Sequence, residues 1–85
     1  MENVKIDNEN KMATLALNSS LYSYDAIIKA SKEFTGNFWV MIESYKNDKV
    51  IIHLKPKAEF ENDIDLNELA QEFYNYTLGM MQQLQ

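Results

Sequence analysis

The sequence contains no cysteine, no arginine, one proline and two glycines. Without cysteine the chain forms no disulfide bond and no cysteine-ligated zinc site, and so little proline and glycine excludes collagen-like and linker-like classes. Hydrophobic residues make up 46% and charged residues 25%, as in folded globular proteins. The 85 residues therefore predict one small domain over 1–85, whose hydrophobic core alone must provide the stability.

The missing arginine bears on the kind of partner. All eight basic residues are lysines, so the side chain best suited to bidentate binding of phosphate or guanine is absent. The formal net charge is −5, and residues 58–85 carry six acidic residues but no basic one. This distribution argues against nucleic-acid binding. The acidic C-terminal third is either a solvated helix surface or a site for a basic partner segment.

Long apolar segments are missing too. The longest uninterrupted apolar run is residues 38–42, which is far too short to cross a bilayer, and the N-terminal residues lack the apolar stretch of a signal peptide. We therefore expect no membrane partner and, by default, a cytoplasmic location.

The spacing of the hydrophobic residues predicts four strands and two helices in the order ββαββα. The predicted strands are near Val4–Ile6, Met12–Leu17, Phe38–Ile42 and Val50–Leu54, and the predicted helices cover about 24–35 and 66–82, with a loop over 56–64. Ser23 and Asp65 provide the N-caps of the helices. We expect an α+β fold in which a four-stranded, mostly antiparallel sheet carries both helices on one face.

The second hairpin predicts a sheet face that is too apolar to remain in water. If Val40 and Ile52 face the helices, the alternation of side chains places on the opposite face Trp39, Met41, Tyr45, Ile51 and His53. Aromatic and methionine side chains are enriched at the centres of protein interfaces. One interpretation is that the chain termini or a long side chain cover this face, or that the assignment of the two faces is reversed. The other is a dimer or partner-binding surface, for which Trp39, Met41 and His53 are the candidate residues.

The second helix supplies two further candidates. Phe73 and Thr77 lie on its predicted buried stripe, so Tyr74 and Tyr76 cannot both face the core. One or both should flank the stripe and face solvent or a partner. Asn75 is either a surface amide or a partner contact, and we take Tyr74 and Asn75 as candidate partner-binding residues.

Catalytic and metal sites need clustered side chains, and the chain has one histidine. His53 lies alone on a predicted strand, which favours an ordinary side chain of the exposed sheet face. The acidic segment 61–72 lacks the glycine that a calcium loop has at its sixth position, where this chain has Leu66. We predict no catalytic residues, metal or cofactor, and hence no enzyme. A small enzyme using His53 with an acid between residues 59 and 72 is the alternative.

Several segments of the chain resemble the HxsD family. They are residues 20–30, Phe34, the strand 38–42, residues 50–57, and Glu72-Phe73-Tyr74-Asn75 of the last helix. The likeness spans roughly residues 12–82. The family usually has an arginine a few residues after the helix asparagine, whereas in this chain Asn75 is followed by Leu78-Gly79-Met80-Met81 and no arginine.

HxsD proteins are small accessory members of the His-Xaa-Ser system, where they accompany two radical S-adenosylmethionine (SAM) enzymes and a His-Xaa-Ser repeat protein taken to be the substrate. The resemblance implies a non-catalytic binding module that presents a peptide to these enzymes or acts as their scaffold. Its partner would be a radical SAM enzyme or a His-Xaa-Ser peptide. A small homodimeric structural domain, in which self-association covers the apolar sheet face, is the alternative function.

Overall fold

The computed structural model describes residues 3–44, 48–60 and 62–83, which form a four-stranded sheet and two α-helices. The strands are β1 (Val4–Asp7), β2 (Met12–Asn18), β3 (Phe38–Ser44) and β4 (Lys49–Pro56), and the helices are α1 (Tyr24–Phe34) and α2 (Leu66–Gln83). A short 3-10 turn, Ala58–Phe60, lies within the predicted loop. The predicted order ββαββα is confirmed.

The sheet has the strand order β1-β2-β4-β3, and every neighbouring pair is antiparallel. Each hairpin pairs its own two strands, and the pairing of β2 with β4 joins the hairpins into one sheet. The two central strands are therefore β2 and β4, while β1 and β3 form the edges. The predicted α+β class with an antiparallel sheet is confirmed.

Alternate residues of the central strands face the helices and form the core. The core contains Ala13, Leu15 and Leu17 of β2, Val50, Ile52 and Leu54 of β4, Ile27 and Ala30 of α1, and Leu66, Leu69, Ala70 and Phe73 of α2. Phe38, Val40 and Ile42 of β3 are partly buried against this cluster. Both helices thus lie on one face of the sheet, as the apolar periodicity predicted.

The helices begin where the capping residues predicted. The Ser23 hydroxyl accepts a hydrogen bond from the Ala26 backbone N–H at 3.2 Å. The Asp65 carboxylate accepts from the backbone N–H groups of Asn67, at 2.9 Å, and Glu68, at 3.3 Å. These bonds satisfy N–H groups that have no partner within their own helix.

The β1–β2 turn is closed by Asp7, whose carboxylate accepts the backbone N–H groups of Glu9 and Asn10, each at 3.1 Å. Hydrogen bonds from the side chain and then the backbone of Asn10 hold the pKa of Asp7 below its ordinary value of 3.8. Lys11 follows in the left-handed region with φ of 53°, and the chain then enters β2. The polar residues predicted as a turn therefore form one.

Candidate functional site

The sheet face opposite the helices, which we call the outer face, is made by the other set of alternate residues. From the strand register, it carries Lys5 and Asp7 of β1, Met12, Thr14 and Ala16 of β2, Lys49, Ile51, His53 and Lys55 of β4, and Trp39, Met41 and Glu43 of β3. The exposed fractions of Trp39 and Met41 are 62% and 59%. Tyr45, also expected on this face, lies outside the described residues.

A depression of about 410 Å³ lies on the outer face and brings the first three candidate residues together. It is lined by Met12, Trp39, Val40, Met41, His53 and Lys55. Two methionines and a tryptophan supply apolar surface there, and methionine side chains adapt readily to irregular partners. The sequence patterns did not indicate Met12 as a member of this group, because its position depends on the pairing of β2 with β4.

The imidazole of His53 bridges two neighbouring strands. Its Nδ1 lies 2.9 Å from the Thr14 hydroxyl oxygen on β2, and its Nε2 lies 2.9 Å from Glu43 Oε1 on β3. A neutral ring fits this geometry when Nε2–H donates to the carboxylate and Nδ1 accepts from the hydroxyl. The sequence pattern did not supply these partners of His53, because both lie on neighbouring strands. Its acidic partner is Glu43, and not a residue between 59 and 72.

The Thr14, His53 and Glu43 side chains have the connectivity of a hydroxyl, an imidazole and a carboxylate in a hydrolytic triad. Acyl transfer also needs free N–H donors beside the nucleophile to bind the developing oxyanion. Thr14 lies in the middle of β2, where it pairs with Lys5 on one side and with His53 on the other. Because the backbone around Thr14 is engaged in the sheet, the arrangement is best suited to fixing the orientation of His53 beside the depression.

Lysines border the apolar centre of the outer face. Lys57 places its ammonium group 4.7 Å from the centroid of the Trp39 ring, a cation–π contact. The Lys55 ammonium donates to the backbone carbonyl of Asn10 in the β1–β2 turn. An apolar centre with a charged border is the usual anatomy of a protein interface.

Tyr74 lies in the helix layer, on the other side of the sheet from the outer face. Its ring packs edge-on against Tyr22, with the centroids 5.6 Å apart, and the Tyr22 hydroxyl donates to the Tyr74 hydroxyl. Burial and this hydrogen bond raise the pKa of Tyr22 from 10.0 to about 12. The pair joins the turn just before α1 to the middle of α2, so Tyr74 has a clear role in packing.

Asn75 lines a wide groove of about 560 Å³, to which neither tyrosine of the pair contributes. The groove is lined by Phe34, Glu72, Asn75, Tyr76, Gly79 and Met80. The Asn75 side-chain oxygen accepts from Gln71 at 3.3 Å. The structure thus places Trp39, Met41 and His53 together on the outer face, but Tyr74 and Asn75 in two other places within the helix layer.

No group of three or more potential metal ligands occurs among the described residues. Within that same part of the chain, neither helix combines the length and the apolar character needed to span a membrane.

The fold and this surface define a small α+β domain whose sheet has one face built into the core and one face with exposed aromatic and methionine side chains. Residues 17–80 match the family model described as "HxsD: His-Xaa-Ser system protein HxsD". The chain belongs to the HxsD family. No curated protein matches it, and no solved structure does.

Proposed function

We propose that this protein is a non-catalytic binding module of the His-Xaa-Ser system that holds its partner on the outer face. Family membership makes the chain an HxsD-like accessory protein of that system. The observation that carries the proposal is the depression in which Trp39, Met41 and His53 meet. A partner would gain free energy there by covering apolar side chains that folding leaves in water.

Three properties of the outer face support a docking role. Its apolar centre consists of residue types that are enriched in interfaces. Thr14 and Glu43 hold His53 by hydrogen bonds, so that its ring orientation is fixed before a partner arrives. Lysines at the border add positive charge, although the whole chain has a net charge of −5. A partner segment with both acidic and apolar side chains would complement this surface.

The family resemblance supplies the candidate partners, a His-Xaa-Ser repeat peptide and the radical SAM enzymes of the same system. The module would present the peptide to the enzymes or hold them together. The hydrogen-bonded group of Thr14, His53 and Glu43 then serves recognition by orienting the imidazole.

The experiment is a set of binding measurements with purified components. A fluorescein-labelled His-Xaa-Ser repeat peptide is titrated with the protein by anisotropy, and each radical SAM enzyme is tested by surface plasmon resonance. We expect one of these partners to bind and Trp39→Ala and Met41→Ala each to weaken its affinity about tenfold or more.

The matched controls are Tyr76→Ala and Leu78→Ala, because both residues are exposed apolar side chains of α2, at 37% each. They should leave the affinity unchanged. Tyr74→Phe and Asn75→Ala test the helix-layer candidates separately. Loss of affinity in the α2 variants, together with unchanged affinity in the Trp39 and Met41 variants, would move the site from the sheet to the helices. A failure of every partner to bind would reject the proposal.

The alternative function, a homodimeric structural domain, predicts that self-association covers the outer face. It requires the apolar centre of one copy to stack on that of a second. In that case Trp39→Ala and Met41→Ala would make the protein monomeric, which sedimentation velocity measures directly.

A further inference from the structure

The two edges of the sheet differ in how well they are protected against pairing with another strand. The edge strand β1 has only four residues, Val4–Asp7. Two of them, Lys5 and Asp7, are charged and lie on the outer face of the sheet. The edge strand β3 has seven residues, Phe38–Ser44, and contains no lysine and no proline. Short length, charges and prolines are the usual means by which proteins prevent edge-to-edge association. The β3 edge lacks all three over most of its length.

The phase of the β3–β4 ladder shows which backbone groups of β3 face outward. The Lys57 N–H donates to the Asn37 carbonyl at 3.0 Å, and in an antiparallel pair such bonded positions recur at every second residue. Trp39, Met41 and Glu43 therefore bond to β4 through their backbones. Their neighbours Phe38, Val40 and Ile42 direct their N–H and C=O groups to the open edge.

We propose that β3 pairs antiparallel with β3 of a second copy of this chain, so that two sheets join into one continuous sheet. The two-fold axis passes between Met41 and the partner's Met41. In this register all seven residues of β3 are paired, with Val40 opposite the partner's Ile42. The outward-facing backbone groups of one strand then meet those of the other, because residues 38, 40, 42 and 44 pair only with one another.

Side-chain chemistry supports this register. Trp39 lies opposite the partner's Glu43, at a position where the strands approach most closely. Lys57 stands over the Trp39 ring, so a positive charge lies beside the partner's carboxylate. No hydrogen-bond partner of the Trp39 indole N–H lies among the described residues. In this register that N–H donates to the partner's Glu43 carboxylate, which also bonds to His53 of its own chain and has lone pairs for several donors. On the face that the helices cover, Val40 and the partner's Ile42 form a pair of branched side chains, and such pairs favour strand pairing.

This assembly differs from stacking through the outer face, because it leaves that face open. It places the outer faces of the two copies side by side, with Met41 and the partner's Met41 at the centre. The inference therefore does not depend on the proposed binding function, and the two are tested by different variants.

The first test compares the same substitution at the two edges. Val40→Pro removes an outward N–H of β3 without removing a bond to β4, so the hairpin persists. Val4→Pro is the matched control, because the Ala16 N–H bond to the Asn3 carbonyl, at 2.9 Å, shows that the Val4 N–H also points outward. Both valines are partly buried against the core. Sedimentation velocity should show a dimer for the wild type and for Val4→Pro, and a monomer for Val40→Pro.

Amide hydrogen exchange of the wild type keeps the test decisive if a proline variant fails to fold. In the proposed dimer the N–H groups of Val40 and Ile42 are protected at high protein concentration and exchange faster on dilution. The outward N–H groups of Val4 and Ile6 on the other edge should exchange rapidly at every concentration. Equally rapid exchange at both edges would overturn the proposal.

A charge exchange tests the register. Glu43→Lys and Lys57→Glu each place like charges together in their own dimers, but a mixed dimer of the two variants restores opposite charges at both sites. Native mass spectrometry of the mixture, with one variant isotopically labelled, should show more mixed dimer than the statistical half. A statistical mixture would reject this register. A wild-type chain that stays monomeric up to sub-millimolar concentration, even if it binds a peptide at β3, would reject the dimer.

Discussion

The two faces of the sheet are made from alternate residues of the same strands, yet they differ in how far folding buries them. The inner face, which carries Leu15, Ile52 and Leu54, is buried within the chain, because α1 and α2 cover these side chains almost completely. The outer face leaves Trp39 and Met41 more than half exposed. Folding therefore explains the inner face but gives no reason for an exposed tryptophan on the outer one. The exposed tryptophan and methionine of the outer face are the reason that we propose this face as the site for a partner.

The same substitution at two adjacent positions of β4 should affect stability very differently on the two faces. Ile52 is fully buried on the inner face, whereas Ile51 is partly exposed on the outer face. Ile52→Ala should lower the free energy of unfolding by about 2–5 kcal/mol, because it removes buried apolar contacts and leaves a cavity. Ile51→Ala should lower the free energy of unfolding by clearly less than Ile52→Ala does. Urea denaturation measures both, and equal losses would show that the outer face is covered.

The contact of Tyr22 with Tyr74 of α2 predicts that the free energy of unfolding depends on pH. The pKa of Tyr22 is raised from 10.0 to about 12, so above pH 10 the unfolded chain releases this proton more readily than the folded chain. The stability that Tyr22 contributes is complete below pH 10 and is lost as the pH rises to about 12.

Tyr22→Phe isolates this effect from the titration of lysines. Between pH 10 and pH 12 the wild type should lose more stability than Tyr22→Phe, as measured by thermal unfolding followed by circular dichroism. Parallel losses in the two proteins would contradict the assignment. Outer-face variants such as Met41→Ala should keep the wild-type pH profile.

On the outer face, loss of a hydrogen bond to His53 should lower the free energy of unfolding by less than the loss of a core side chain. Thr14→Val removes the hydroxyl that pairs with Nδ1. We expect it to lower the free energy of unfolding by about 1 kcal/mol. Thr14→Ser keeps the hydroxyl and is the control. The ¹⁵N shifts of the neutral ring should report the Nε2–H tautomer in the wild type and in Thr14→Ser. The Nδ1 shift should change in Thr14→Val, because this nitrogen loses its hydrogen bond, and an unchanged Nδ1 shift would show that Thr14 does not bond to the ring.

The smallest effect is expected at Met41, which is 59% exposed. At protein concentrations where the chain is monomeric, Met41→Ala should change the free energy of unfolding by about 0.5 kcal/mol or less. Affinity for a partner should nevertheless fall in the same variant. A large loss of stability in the monomer would mean that Met41 belongs to the fold and not to a docking surface.

The strands, the helices and the faces of their side chains follow from the amino-acid sequence alone. Hydrophobic periods of two and of about 3.6 residues marked the strands and helices, Ser23 and Asp65 marked the helix starts, and alternation in 38–54 placed Trp39, Met41 and His53 on one face. These features depend on neighbours along the chain, so the pattern of residues is enough to predict them.

The contacts between elements, in contrast, depend on the tertiary fold. The pairing of β2 with β4 brings Thr14 and Met12 to His53, and the packing of the turn before α1 against α2 brings Tyr22 to Tyr74. These contacts join residues that are far apart in the chain. Strand order and helix packing set such distances, because several arrangements can bury the same apolar stripes, and the period of a segment does not specify its neighbour.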